Sequence, residues 1–219
     1  MNVFDIIGPV MIGPSSSHTA GAVRLGRVAW KILGERAVRA EIKLSGSFAQ
    51  TYQGHGTDKA LVAGIMGMHS DDERIRNSLQ LAQDSGLAVT FQEIQLPGAH
   101  PNTARIALTG QNGGQAVVQG ASVGGGTILV TEINGLSVSL TGQYNTILVL
   151  HQDKPGAIAV VTQFMAESGV NIGNFRLSRP QKGGEALMTI EVDGDVADTL
   201  MANLRALDPV KQVVLIRAI

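Results

Sequence analysis

Two hydrophobic periods alternate in the first third of the chain. Between residues 19 and 34, apolar residues recur every three or four positions and the basic residues fall largely on other sides, which predicts an amphipathic helix. Its apolar face consists of Ala22, Leu25, Ala29 and Leu33. From residue 39 to 46 the period is two, which predicts a strand covered on one face. The alternating apolar positions of that strand are Ala40, Ile42 and Leu44.

The remainder of the first half continues with helices and then strands. Residues 3–14 are apolar but broken twice by Gly-Pro, which predicts short extended segments joined by turns. Residues 47–58 predict a loop, and two helices follow at 59–70 and 71–86, the first capped by Thr57 or Asp58 and the second closed by Gly86. From residue 88 to 140, short strands separated by glycine and Asn-Gly predict antiparallel hairpins.

The pattern changes after residue 143. The order becomes strand, helix, strand, strand, helix, strand, with turn signals at 154–156, 182–184 and 208–209, and this order predicts a ferredoxin-like βαββαβ domain. No fixed-period repeat relates the two halves, so they are different folds. We therefore predict an α+β protein, with an N-terminal α/β domain over 1–143 and a ferredoxin-like domain over 144–219.

Composition narrows the possible partners. The 219 residues suit two domains, and a net charge of −1 with 4% aromatic residues favours neither nucleic acid nor a membrane surface as partner. The first residues lack the basic and apolar pattern of a secretory signal, so a cytoplasmic protein is expected. Cysteine is absent, so this chain can supply neither a disulfide nor a thiolate ligand.

The stretch GPSSSHTAG places four hydroxyls directly before the first helix. Ser17 or Thr19 is the natural N-cap, but capping needs one hydroxyl, whereas Ser15 and Ser16 add two more. The surplus predicts donors that face an anion at the helix N-terminus. The stretch matches neither a Walker loop, nor a Rossmann fingerprint, nor a GxSxG nucleophile elbow, so nucleotide binding and an acylating serine are disfavoured.

Two histidines accompany these hydroxyls. His18 ends the serine run, and His55 stands between two glycines, whose lack of side chains suggests that the histidine is displayed rather than packed. One such histidine is more often a solvated loop residue, but two before helices form a candidate acid/base pair or carboxylate clamp. His69 and His100 are adequately explained by a helix end and a turn, and His100 stays a weak site candidate.

The stretch LHQDKPGAIAVVTQFMAESGVNIGNF resembles an ACT domain, the amino-acid-sensing module of metabolic enzymes. The resemblance implies self-association and an amino-acid ligand held at His151, Asp153, Gly156 and Asn171 across a dimer interface. Physical chemistry agrees for Gly156, because a glycine at a helix start lets a carboxylate approach the backbone N–H groups. The alternative is a simple Pro-Gly turn in a domain that only assembles subunits.

The stretches VFDIIGPVMIGPSSSHTAG, GSFAQTYQGHGTDKA and HPNTARIAL, in that order, resemble the β chains of two-chain, iron–sulfur-dependent L-serine dehydratases. The first half is similar to the allosteric substrate-binding domain that also occurs in certain 3-phosphoglycerate dehydrogenases. In that dehydratase family, water is eliminated from L-serine to give 2-aminoacrylate, which hydrolyses to pyruvate and ammonia. The [4Fe–4S] cluster is ligated by an α chain, which agrees with the absence of cysteine and implies that this chain holds no metal and is inactive alone.

The resemblance also implies roles for the residues of the two N-terminal motifs. His55 is the better candidate for the general base and His18 for orientation or binding. The hydroxyls would hold the serine carboxylate or the interface with the α chain, and they belong to Ser15, Ser16, Ser17 and Thr19. The alternative is a non-catalytic, amino-acid-sensing subunit that regulates a partner enzyme.

Overall fold

The computed structural model describes residues 11–13 and 15–218, so most of the extended segments predicted over 3–14 lie outside the described residues. The chain divides into two compact units, Met1–Gly135 and Leu136–Ile219. The domain boundary at 143/144 stays a prediction. Within the described ranges, no helix is long and apolar enough to cross a membrane.

The first unit contains four α-helices. These are α1 (Ala22–Leu33), α2 (Ser47–His55), α3 (Thr57–Ile65) and α4 (Ser78–Asp84), with a π-helical turn at Ser16–Gly21 and a 3₁₀ turn at Glu73–Asn77. Its strands are β1 (Ala37–Ser45), β2 (Ala88–Glu93), β3 (Thr103–Gly110), β4 (Gln115–Gly124) and β5 (Thr127–Ile133), whereas β6 (Leu136–Leu140) begins the second unit. The strands β1 to β5 lie in the order β2-β1-β3-β4-β5, in which β1 pairs parallel with β2 and antiparallel with β3.

The predicted first helix and first strand are confirmed. The four apolar positions of α1 are buried, and the helix ends at Gly34, whose φ of 73° permits the left-handed cap. In β1, Ala40, Ile42 and Leu44 are buried whereas Lys43 is exposed. Of the antiparallel hairpins predicted over 88–140, β3–β4 and β4–β5 are present. The prediction is wrong for β2, which pairs parallel with β1 and is not a neighbour of β3.

Helices α1 and α3 approach each other closely through two glycines. A Cβ atom on Gly64 would collide with the carbonyl oxygen of Val23, and one on Gly26 would collide with that of Leu61. The close approach fixes α3, and therefore the end of α2 that precedes it, against α1.

The prediction of a loop over 47–58 is wrong. Residues 47–55 form α2, and Gly56, at φ 70°, turns the chain directly into α3, so Gly56 occupies the N-cap position rather than Thr57 or Asp58. Ser47, Thr51 and Gly54 of α2 are poor helix formers, but Phe48 is fully buried on its inner side, and such packing overrides a weak propensity.

The helix predicted over 71–86 is only partly α-helical. It begins as the 3₁₀ turn at Glu73–Asn77, where the Asp72 carboxylate accepts a hydrogen bond of 3.0 Å from the Arg74 backbone N–H. The α-helical part is α4, and Gly86 follows it at φ 79°, as the sequence predicts for the helix end.

The second unit has the predicted ferredoxin-like order. After β6, it consists of β7 (Asn145–Gln152), α5 (Ala157–Glu167), β8 (Ile172–Ser178), β9 (Glu185–Val192), α6 (Asp198–Ala206) and β10 (Val210–Ile216). The strands pair antiparallel in the order β10-β7-β9-β8. Ile147 and Val149 from β7 pack with Val161, Met165 and Leu204 from the two helices to form its core.

Candidate functional site

The π-helical turn at Ser16–Gly21 positions His18. Its N-cap is Ser15, whose hydroxyl accepts a hydrogen bond of 3.3 Å from the His18 backbone N–H. The prediction of Ser17 or Thr19 as the cap is therefore wrong, because both already lie inside the turn. Gly13 is required beside it, since a Cβ atom there would collide with the Thr19 side chain. Single π-helical turns are frequent at functional sites.

Four hydroxyls surround the His18 ring. Nδ1 lies 3.2 Å from Ser17 Oγ and 3.4 Å from Ser15 Oγ. Nε2 lies 3.2 Å from Thr51 Oγ1 and 3.4 Å from Ser47 Oγ, both on α2. Because a hydroxyl can both donate and accept, the four groups satisfy a neutral imidazole in either tautomer and hold its plane fixed. We call the four residues that carry these hydroxyls the hydroxyl cradle of His18.

His18 is buried, so of the two histidines only His55 has a displayed side chain. Only 8% of the residue is exposed, and its ring packs edge to face on Phe48 with centroids 5.3 Å apart. Burial, and after it the charge of His55, lower the pKa of His18 below its ordinary value of 6.5. The side chain is therefore a neutral imidazole at neutral pH.

His55 is the exposed member of the pair. It is the last residue of α2, and its ring meets the His18 ring edge to face, with centroids 4.7 Å apart and planes at 82°. The two motifs that the sequence singles out are thus brought into contact. His18 supports the second imidazole from inside the fold, and only His55 is accessible to a ligand.

A cavity of about 480 Å³ opens beside His55, within the range of small-molecule sites. It is lined by Ile12, Gly13, Thr19, Gln53, Gly54, His55, Gly56, Lys59, Ile75 and Arg76. Thr19 and His55 are the two predicted site residues among them. Of the other predicted hydroxyls, Ser15 and Ser17 contact the His18 ring, and Ser16 is half-buried between them.

A second cleft of the same volume lies beside Trp30 and Leu87, but it contains no histidine. Its Glu35 carboxylate already accepts hydrogen bonds from the backbone N–H groups of Asn112 and Gly114. His100 lies apart from both cavities, where its Nδ1 accepts a hydrogen bond of 3.1 Å from the Asn102 backbone and stabilises a turn. The chemistry therefore concentrates at the cavity beside His55.

The residues of this chain do not fit the ligation of an iron–sulfur cluster. Such clusters are held by cysteine thiolates, and the sequence contains no cysteine. In the part of the chain that the structure describes, no three or more histidine, aspartate or glutamate side chains gather where they could hold a metal ion.

Three of the other predicted positions lie in or directly beside the loop between β7 and α5. Gly156 lies directly before α5 at φ 88°, a conformation that favours glycine. His151 is 1% exposed at the end of β7, with Nδ1 2.9 Å from the Gln152 carbonyl oxygen. Its Nε2 has no hydrogen-bond partner among the described residues.

Asp153 and Asn171 already have partners within the chain. The Asp153 carboxylate accepts hydrogen bonds from the Gly183 N–H at 2.9 Å and from Arg179 at 3.1 Å, and these two contacts, the Gly183 N–H first, lower the pKa of that carboxyl. The Asn171 amide donates to the Asp193 carboxylate at 2.6 Å. A ligand at these positions would have to share or displace these contacts.

Comparisons with known proteins identify both halves. The family model described as serine dehydratase beta chain matches residues 2–85, and the ACT domain model matches residues 145–209. The probable L-serine dehydratase beta chain of Bacillus subtilis (strain 168) is 45% identical over 97% of this chain and 96% of its own length. The chain belongs to the serine dehydratase beta-chain family. The predicted family and the predicted ACT domain are confirmed.

Two other relatives extend the comparison. The L-serine dehydratase beta chain of Peptoniphilus asaccharolyticus is 38% identical over 91% of this chain and 90% of its own length. D-3-phosphoglycerate dehydrogenase of Synechocystis sp. (strain ATCC 27184 / PCC 6803 / Kazusa) is 24% identical over 84% of this chain, which spans 33% of that protein.

Sequence reasoning missed four residues of the candidate site. Ser47 and Thr51 complete the cradle, and their i, i+4 spacing would have placed them on one helix face, had 47–55 been assigned as helix. Lys59 lines the cavity from α3 and Arg76 from the 3₁₀ turn, and no single sequence motif contains both residues. Their proximity arises from the fold of α3 and the 3₁₀ turn.

Proposed function

We propose that this chain is the β subunit of a [4Fe–4S]-dependent L-serine ammonia-lyase and contributes part of the active site in trans. The reaction converts L-serine into 2-aminoacrylate and water, and the aminoacrylate then hydrolyses to pyruvate and ammonia. The observation that carries the proposal is an exposed histidine, His55, held against a buried, neutral, fully hydrogen-bonded histidine, His18, at the edge of a cavity. Membership of the serine dehydratase beta-chain family supports it.

In this proposal His55 is the general base. Its imidazole takes the α-proton of L-serine, a task for which a histidine is suited near neutral pH. Because burial keeps His18 neutral, His18 adds no positive charge that would oppose the arrival of the proton on His55. The hydroxyl cradle fixes the His18 ring, and His18 in turn limits the orientations that the His55 ring can adopt.

The cluster belongs, in this proposal, to a cysteine-bearing α chain, since this chain does not fit it. The departure of the β-hydroxyl is therefore assigned to that partner. The name "beta chain" of both relatives supports the existence of such a partner. We further propose that the two chains assemble in the cytoplasm and that the hydroxyl-rich turn around Ser16 faces the α chain.

The ACT domain is proposed to bind an amino acid and to associate with a second ACT domain. The candidate ligand positions are His151, Asp153, Gly156 and Asn171. Gly156 supports this role, because no side chain shields the N-terminus of α5 there, and a helix N-terminus attracts a carboxylate. Binding would alter the contacts of Asp153 with the loop around Gly183, which gives a structural route for a regulatory response.

The second candidate function is a non-catalytic amino-acid sensor. It is favoured by the similarity to D-3-phosphoglycerate dehydrogenase, an enzyme named for a different reaction, over 84% of this chain. Both candidates predict serine binding. They differ in whether His55 affects turnover at saturating serine.

Co-expression tests the proposed function. The chain is produced together with a cysteine-bearing α chain, purified without oxygen and assayed for pyruvate from L-serine. We expect activity from the complex and none from the isolated chain. Pyruvate formation by the pure isolated chain, or an inactive complex with a full cluster, would contradict the proposal.

A further inference from the structure

Two cationic side chains line the cavity beside His55. Lys59 lies in the first turn of α3, and Arg76 lies in the 3₁₀ turn at Glu73–Asn77. Both residues are exposed, and no aspartate or glutamate belongs to the cavity lining. The lining therefore presents positive charge without a carboxylate to balance it.

Two nearby carboxylates are committed elsewhere. Asp72 forms a salt bridge of 2.6 Å with Arg74, two residues before Arg76. Asp58 is only 8% exposed, and its Oδ1 accepts a hydrogen bond of 2.8 Å from the Lys59 backbone N–H. Within residues 11–13 and 15–218, neither the Lys59 ammonium nor the Arg76 guanidinium forms a salt bridge.

The backbone adds to this positive field. Helix α3 has nine residues, and its N-cap is Gly56, which offers no side chain to accept from the first N–H groups. The positive end of the helix dipole favours an anion here, although the Asp58 carboxylate already accepts one hydrogen bond, from the Lys59 N–H. Gly56 lines the same cavity as the two cations, so the helix end and the cations act on one volume.

The geometry points to a carboxylate site, and we propose that Lys59 and Arg76 bind the α-carboxylate of the amino-acid substrate. An arginine beside a lysine suits a carboxylate, because the guanidinium can offer two parallel N–H donors while the ammonium adds charge. This assignment rests on the proposed function. Thr19 is the one predicted hydroxyl that lines the cavity with these cations, whereas Ser15 and Ser17 face His18.

A site that binds the carboxylate would also position the substrate for catalysis. The α-carbon of an amino acid is bonded directly to its carboxylate, so a clamp on the carboxylate also fixes the C–H bond that must be broken. His55 lines the same cavity and would receive that proton. Positioning of this kind contributes to the rate without any further chemical group.

Binding to the isolated full chain tests the carboxylate site without the cluster. Acetate, L-serine and L-serine methyl ester are titrated while backbone amide signals are followed by NMR, in the wild type and in Lys59→Gln and Arg76→Gln. The matched controls are Lys43→Gln and Arg39→Gln, both exposed on β1 and outside the cavity lining. We expect each cavity variant to weaken binding of acetate and L-serine by ~10-fold or more, as for a lost charged contact. The controls should match the wild type, and the ester should bind weakly to all.

Kinetics of the assembled enzyme test whether the two cations bind the substrate itself or an unrelated anion. We expect both cavity variants to raise KM for L-serine at least ~10-fold, with a smaller change in kcat. Unchanged serine affinity and KM in folded variants would overturn the inference. Loss of acetate binding with an unchanged KM would also overturn it, because the cations would then hold a free anion apart from the substrate. A wild-type KM in these variants together with a low kcat in His55→Ala would leave the proposed function standing.

Discussion

The His18 and His55 rings meet edge to face, with centroids 4.7 Å apart and planes at 82°. Four hydroxyls from two separate motifs surround the buried ring, and the other ring is exposed at a cavity. These contacts give the serines that precede His18 in the sequence a structural role. Ser15 and Ser17 hydrogen-bond to the ring of His18, and His18 packs against His55.

The pH dependence of stability should report the burial of His18. Its folded-state pKa is lowered, so the unfolded chain binds the proton more tightly and the folded state loses stability as the pH falls below the ordinary value of 6.5. Above that value the contribution is fully present. Urea unfolding between pH 5 and 8 should show this loss, and His18→Gln should show a shallower pH dependence. Equal slopes in both proteins would contradict the buried, neutral state.

Thr51→Val should test the cradle without changing side-chain volume. The variant removes the closer hydroxyl from His18 Nε2, so the free energy of unfolding should fall by about 0.5–1.5 kcal/mol. In the assembled enzyme kcat should fall and the pH profile of kcat should shift, with KM for L-serine unchanged. Thr162→Val, at a half-buried position of α5 whose hydroxyl donates to the Ile158 carbonyl, is the control. A loss of stability together with a wild-type kcat and pH profile would show that the cradle stabilises the fold and has no role in catalysis.

Two glycine substitutions should have opposite effects on stability. Gly64→Ala forces a Cβ atom into the backbone of α1 and should destabilise by about 1–3 kcal/mol or more. Gly54→Ala, within α2 and with open space around it, should stabilise by about 0.5–1 kcal/mol, because alanine is the better helix former. Thermal unfolding of both variants checks this. A destabilising Gly54→Ala would argue against a helical α2.

Substitution at the ACT loop should alter regulation rather than chemistry. Asp153→Ala removes the acceptor of the Gly183 N–H, and Asn171→Ala removes the donor to Asp193. We expect both to change the dependence of rate on serine concentration while kcat stays nearly unchanged. Steady-state kinetics and light scattering of the assembled enzyme measure rate and assembly. Wild-type serine dependence in both would remove these residues from the ligand site.

Much of the fold follows from local patterns. The period of α1, the alternation of β1 and the βαββαβ order all arise from apolar spacing that the sequence displays directly. Segment α2 could not be assigned in this way, because its serine, threonine and glycine favour turns. It is helical because Phe48 is buried and because its polar face surrounds His18.

The candidate site was predicted in outline but not in detail. The pairing of His18 with His55 could be inferred from two unusual motifs, each containing a histidine close to hydroxyls and glycines. The burial of His18 could not, because it depends on α2 folding over the π-helical turn. The proposed roles of Lys59 and Arg76 depend on both side chains lining one cavity, and no pattern of neighbouring residues in the sequence indicates this.

The turnover number of His55→Ala in the assembled complex tests the central claim most directly. Iron content and α-chain binding must match the wild type, so that only the imidazole has changed. We predict that kcat at saturating L-serine falls ~100-fold or more, the usual contribution of a positioned acid or base. A wild-type kcat in an intact, fully loaded complex would contradict the account, and the base would then have to lie on the partner chain.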